Sequence, residues 1–116
     1  MINMKPAVVT ALSSISLLNG RIYPIYPISF ANTPSLSYSE VDNSLLANAD
    51  DREYSANIEF SIDIWDLTGT NLSSLKGQVN TKMVNLGFTR TRSTDLAEKE
   101  TGMHHTNMRF RIVKEV

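Results

Sequence analysis

Residues 54–66 read YSANIEFSIDIWD. Tyr54, Ala56, Ile58, Phe60, Ile62 and Ile64 take every second position, with Ser55, Asn57, Glu59, Ser61, Asp63 and Trp65 between them. A strand turns successive side chains to opposite faces, so the alternation describes a strand with one apolar face and one polar, acidic face that ends in a tryptophan. At roughly 13 residues it is about twice a typical strand. That is long enough to be the central template on which neighbouring strands pair.

Downstream, Leu72, Leu75, Val79, Met83 and Leu86 are spaced 3, 4, 4 and 3 apart, which predicts an amphipathic helix over 71–86. Thr70 or Asn71 is placed to cap it and Gly87 to stop it. Residues 88–94 and 103–113 read as two strands of an antiparallel hairpin joined by a polar connection. In the last strand Met108, Phe110 and Ile112 share one face, and Asn107, Arg109, Arg111 and Val113 the other.

Upstream, residues 4–18 predict a helix. Asn3 can cap it, Pro6 sits in the first turn where a missing N–H costs nothing, and Val8, Leu12, Ile15 and Leu18 form its stripe. Asn19-Gly20 supplies a left-handed stop. Residues 21–29, RIYPIYPIS, favour a strand, but Pro24 and Pro27 remove two ladder donors, so it should be an edge strand or a bent one. Residues 35–41 predict a short strand. Residues 42–52, DNSLLANADDR, predict a mobile solvated loop, with Asp42, Leu45, Leu46, Asp50 and Asp51 as the residues that order on docking.

The expected order is therefore α-β-β-β-α-β-β. Each helix has one apolar stripe and the sheet one apolar face, which makes an α+β fold: an antiparallel or mixed sheet with both helices on one side. The 116 residues suit a single domain over 1–116.

The chain has no cysteine, which excludes disulfides and thiolate zinc sites. It has no apolar run of about 18 residues, so no spanning helix is expected. Thr10, Ser13, Ser14 and Ser16 interrupt the first apolar segment, so it is not expected to be a signal peptide. Net charge is only −1, but it is unevenly spread. Residues 1–75 hold three bases and eight acids, net −5, and residues 76–116 hold eight bases and four acids, net +4. Either the halves pair within one sheet, or an acidic surface meets the basic surface of the next copy. Such head-to-tail contacts close into rings when the rotation allows.

No catalytic constellation is visible. His104 and His105 are adjacent on a strand and point to opposite faces, so they do not chelate one ion together. Glu59 and Asp63 share a face about 13 Å apart by strand rise, beyond the separation glycosidase carboxylates use. Asp50, Asp51 and Glu53 lack the alternating spacing and glycine of a calcium loop. Gly69-Thr70 and Lys76-Gly77 hold the residue types of a phosphate loop in the wrong order. Arg90, Arg92, Arg109 and Arg111 form a basic group, but Phe88 and Phe110 beside them read as core and not as stacking platforms for bases. No enzyme activity, cofactor, metal or sequence-specific nucleic-acid partner is expected.

The run FSIDIWD, the helix LSSLKGQVNTKMVNLGF and the segment TRTRSTDLAEKETGMHHTNMRFRI resemble the tail-completion (tail-terminator) proteins of siphophages and prophages. The resemblance rests on an ordered series: Asp63, Ile64 and Trp65; then Gly87, Phe88 and Arg90; then His105, Arg109 and Phe110. It covers roughly residues 54–113. An aromatic residue often seen in the hairpin loop of that family is replaced by Leu96-Ala97, and residues 21–50 match nothing in it. The resemblance implies a structural virion protein, assembled in the host cytoplasm, that forms a ring, a hexamer in that family, on the head-proximal end of the tail tube. Its partners would be further copies of itself, the tail-tube protein and a head-tail connector or stopper protein, with no membrane. Glu59, Asp63, Trp65, Arg90, Arg92, Arg109 and Arg111 are the candidate subunit or tube contacts. Another neck protein of the same particle, or a small ligand-binding α+β domain, are the alternatives.

Overall fold

The alternating stretch is the middle strand of a five-stranded sheet. A computed structural model describes residues 1–27, 31–49, 52–97 and 102–115. In chain order the elements are α1 (Lys5–Ser13), a short 3-10 helix (Ser16–Leu18), β1 (Ile22–Pro24), β2 (Ser35–Ala49), β3 (Arg52–Asp66), α2 (Leu72–Asn85), β4 (Thr89–Ala97) and β5 (His104–Glu115). The sheet order is β1-β2-β3-β5-β4. Strand β1 runs parallel to β2, and every other pair is antiparallel. The fold is α+β with a mixed sheet, in the expected element order.

One core lies between the sheet and the helices. Ala56, Ile58, Phe60, Ile62 and Ile64 of β3 are fully buried, as are Val8 and Leu12 of α1, Leu75, Val79 and Met83 of α2, and Met108 and Phe110 of β5. Phe60 faces Phe110 in register and meets the Phe88 ring edge-on at 5.8 Å. The long β2 and β3, 15 residues each, set the long axis of a 53 × 26 × 23 Å molecule.

Several boundaries differ from expectation. The first helix ends at Ser13, because the Ser14 hydroxyl donates to the Ala11 carbonyl and Ile15 is extended. A 3-10 turn then keeps Ile15 and Leu18 buried. Strand β1 is the edge strand and is short. The chain bends at Ile25, φ +68°, where Tyr26 N–H donates back to the Pro24 carbonyl.

The largest correction concerns residues 42–52. Asp42, Leu45 and Leu46 belong to β2, which continues to Ala49 and pairs with β3 as far as Arg52. Turn-forming residues suggested a loop, but the ladder to the long β3 overrides that local preference. Three register shifts absorb the misfit: between Glu40 and Asp42, Leu45 and Ala47, and Ala47 and Asn48. Asp50 and Asp51 lie outside the described residues.

Helix α2 starts on a group the sequence did not single out. Asn71 makes no side-chain cap. The Asp66 carboxylate, at the end of β3, accepts from Asn71 N–H at 2.9 Å. At its other end Gly87, φ +102°, closes a Schellman turn, with Phe88 N–H donating to the Met83 carbonyl and Gly87 N–H to that of Val84. Asp66 is 2 % exposed. Asp66→Ala should cost about 0.5–2 kcal/mol of unfolding free energy by urea titration, and an unchanged midpoint would remove its capping role.

Candidate functional site

Both helices cover one face of the sheet, so the alternate residues of every strand form a second face that carries no helix, although Ser35, Ser37, Asn57, Ser61 and Trp65 on it are buried. The pairing places Glu59 opposite Arg111, Ser61 opposite Arg109, Asp63 opposite Asn107 and Trp65 opposite His105 on that face. Arg92, opposite Arg109, completes it on β4. Six of the seven candidate contact residues, Glu59, Asp63, Trp65, Arg92, Arg109 and Arg111, thus share one surface. Arg90 does not: the shift between Arg90 and Arg92 turns it to the helix side, where its Nη1 reaches Asn80 Oδ1 of α2 at 3.5 Å.

Two polar groups run along the open face. In the first, Asn57 Nδ2 donates to Asp42 Oδ2 at 2.6 Å and to Glu59 Oε2 at 3.2 Å, while its Oδ1 accepts from Arg111 Nε. Ser44 Oγ donates to the same Asp42 oxygen. In the second, the Asp63 carboxylate accepts from His105 Nε2 at 2.6 Å and from Asn107 Nδ2 at 2.9 Å, and Asn107 also donates to Ser61 Oγ. The His105 ring stacks on Trp65 at 3.8 Å with 10° between the planes. Tyr26 packs edge-on against the same indole, and Trp65 Nε1 donates to Ser37 Oγ.

The acids of this face are therefore engaged inside the chain, and Trp65 is only 4 % exposed. The arginines are less so. Arg92 and Arg109 lie directly opposite each other on adjacent strands, an unfavourable like-charge pair. Among the described residues no carboxylate pairs with Arg90, Arg92 or Arg109. Sequence reading had singled out Asp63, Trp65 and His105 separately. Only the β3–β5 register makes them one stack. Asn57, Ser61 and Asn107, which satisfy the charges, read in the sequence as ordinary strand polar residues. Their shared parity with Asp63 was the available signal.

His104, on the opposite face from His105, packs its ring over Gly69, φ +74°, where a Cβ would meet the ring at 2.8 Å. Among the described residues no group of three or more histidine and carboxylate side chains is placed to hold a metal ion, and no helix is long and apolar enough to cross a membrane.

Two carboxylates titrate below their ordinary range. Hydrogen bonds from Asn57 and Ser44 hold Asp42 down, with a smaller contribution from the Arg111 charge. Asp95 is lowered by Thr106 Oγ1, which donates to it, and by Lys76, whose Nζ lies 3.1 Å away. A carboxyl depressed in the folded state stabilises the fold above its unfolded pKa and loses that contribution as pH falls through the folded value. Stability should therefore hold down to about pH 5 and fall below about pH 4. Urea melts at stepped pH should show a shallower fall for Asp42→Asn/Asp95→Asn. An identical fall would mean these two groups do not carry it.

No protein-family model matches the chain, and no curated protein does. Among solved structures, a chain from the virion of a native gene transfer agent (GTA) particle matches with a TM-score of 0.64 at 16 % identity, covering 97 % of this chain and 95 % of that one. The two chains share a fold from end to end.

Proposed function

We propose that this chain is a structural protein of a phage-like particle, which caps the head-proximal end of the tail tube as a ring, stops tube elongation and joins tail to head. The observation that carries this reading is the end-to-end fold likeness to a chain of a gene transfer agent virion. The ordered series from Asp63 to Phe110 gives the finer role. In this reading the chain performs no chemistry. Its work is done by a rigid sheet, by the open face and by the sheet edges, which contact further copies, the tube protein and a connector or stopper protein. The hexameric ring comes from the family resemblance, and the location is the virion, at the head-tail junction.

Electron microscopy of the purified protein mixed with tail tubes of the same particle tests this directly. A ring at one tube end, with elongation halted, is the expected result. Bare tubes that keep growing would discard it in favour of another neck protein or a ligand-binding domain. Arg109→Glu/Arg111→Glu should weaken assembly about tenfold or more, since reversed charges at an interface oppose docking. The variant should still unfold cooperatively. Assembly equal to wild type would remove both arginines from the interface.

A further inference from the structure

Among the described residues the sheet has two unpaired edges of opposite charge. Strand β1 pairs with β2 only over Leu36, Ser37 and Tyr38. Beyond Tyr38, residues 39–49 of β2 have no strand on that side among the described residues. Strand β4 is the other outermost strand, open along Thr89–Ala97. Unpaired ladder groups of this kind are a template for another strand.

Each edge carries a charged pair across a register shift. On β2 the sequence is Glu40-Val41-Asp42, with the shift between Glu40 and Asp42. On β4 it is Arg90-Thr91-Arg92, with the shift between Arg90 and Arg92. In each case the first charge faces the helix side, opposite Phe60 or Phe110, and the second faces the open side, opposite Glu59 or Arg109. The acidic edge is incompletely satisfied: Glu40 Oε2 is buried with no hydrogen-bond partner, and Lys5 lines the same cleft without an ion pair to it. Val41 on one edge and Leu96 on the other are exposed apolar residues.

We propose that β2 of one copy pairs with β4 of the next, so that the sheet continues from subunit to subunit around the ring. This deepens the ring reading above and rests on it. The strand directions fit. Strand β2 runs with β5 and β4 with β3, so β2 and β4 point opposite ways. Copies related by rotation about an axis along the strands meet in an antiparallel ladder, the more stable kind. Charge selects the partner edge. Two β2 edges would set acid against acid and two β4 edges base against base, so both symmetric pairings are disfavoured and the head-to-tail pairing, which closes a ring where the rotation allows, remains.

Charge reversal tests it. Glu40→Arg/Asp42→Arg makes both edges basic, and Arg90→Glu/Arg92→Glu makes both acidic. Each variant alone should associate about 100-fold more weakly than wild type, read by native mass spectrometry and on tail tubes. An equimolar mixture should assemble with the two alternating, and the variant carrying all four reversals should assemble alone. Single-edge variants that assemble like wild type, or folded variants whose mixture does not, would overturn the pairing. Val41→Cys/Thr91→Cys joined by a short bis-maleimide gives a second reading that leaves the charges intact, on a chain with no other cysteine. Ladders of linked copies are expected. Links only to tube protein, or none, would overturn it. Linked rings that leave tubes growing would sink the tail reading and keep the edge pairing, whereas tubes capped equally by both reversed variants would do the opposite.

Discussion

Phe60→Ala is expected to lower the unfolding free energy by about 3–5 kcal/mol. A domain of this size has about 5–15 kcal/mol in total, so the variant should sit near the edge of folding. Phe60 is fully buried at the middle of the middle strand, between Phe110 across the ladder and the Phe88 ring at 5.8 Å. The strands and helix α2 around it are tied by separate ladders and caps, so collapse into the cavity is limited. Phe60→Leu keeps most of the volume and should cost under about 1.5 kcal/mol. Urea titration checks both. A lower midpoint with unchanged slope is the expected form, and a loss below about 1 kcal/mol for alanine would mean that the core is not built on this ring.

The second large effect is on the face that carries no helix. Trp65→Ala should cost about 3–5 kcal/mol, although Trp65 points away from the helices. Its indole is covered by its own chain: the His105 ring above it, Tyr26 at its edge and Ser37 at its N–H. Trp65→Phe keeps an aromatic surface for His105 and loses the hydrogen bond, so about 1–2 kcal/mol is expected. It is the sole tryptophan, so its fluorescence reports this site alone, and His105→Ala should shift the emission to longer wavelength in the folded protein. Because Trp65 is 4 % exposed, its effect on the proposed assembly is expected to come through the fold. Trp65→Phe should therefore assemble like wild type. Defective assembly by a well-folded Trp65→Phe would return the indole to the interface.

The distribution of charge has a use that composition alone does not reveal. Three acids of β3 are engaged within the chain: Glu59 by Asn57, Asp63 by His105 and Asn107, and Asp66 by the Asn71 amide. The halves do meet in one sheet, with Glu59 opposite Arg111. Beyond these lies an unequal pair of edges, with acids at Glu40 and Asp42, the second already accepting from Asn57 and Ser44, and bases at Arg90 and Arg92. The proposed head-to-tail assembly would draw on that remainder, and salt should weaken it more than it weakens the fold.

Periodicity determined the central strand, both apolar stripes and the closing hairpin, because burial against one partner surface leaves the same imprint whatever the partner is. The alternation from Ala56 to Ile64 and the stripe from Leu72 to Leu86 could be read without knowing what they pack against. Tertiary structure decided what local chemistry contradicts or leaves open. Residues 42–49 have the composition of a loop and become strand because β3 offers a ladder long enough to hold them. Helix α2 takes its cap from Asp66, five residues before the capped amide, because the turn after β3 folds back. The stack of Asp63, Trp65 and His105 joins residues about 40 apart in the chain, and the unpaired edges exist only once the strand order is set. Pattern records which face of an element is buried; register, strand order and exposed edges depend on which elements meet, and that is a property of the folded chain.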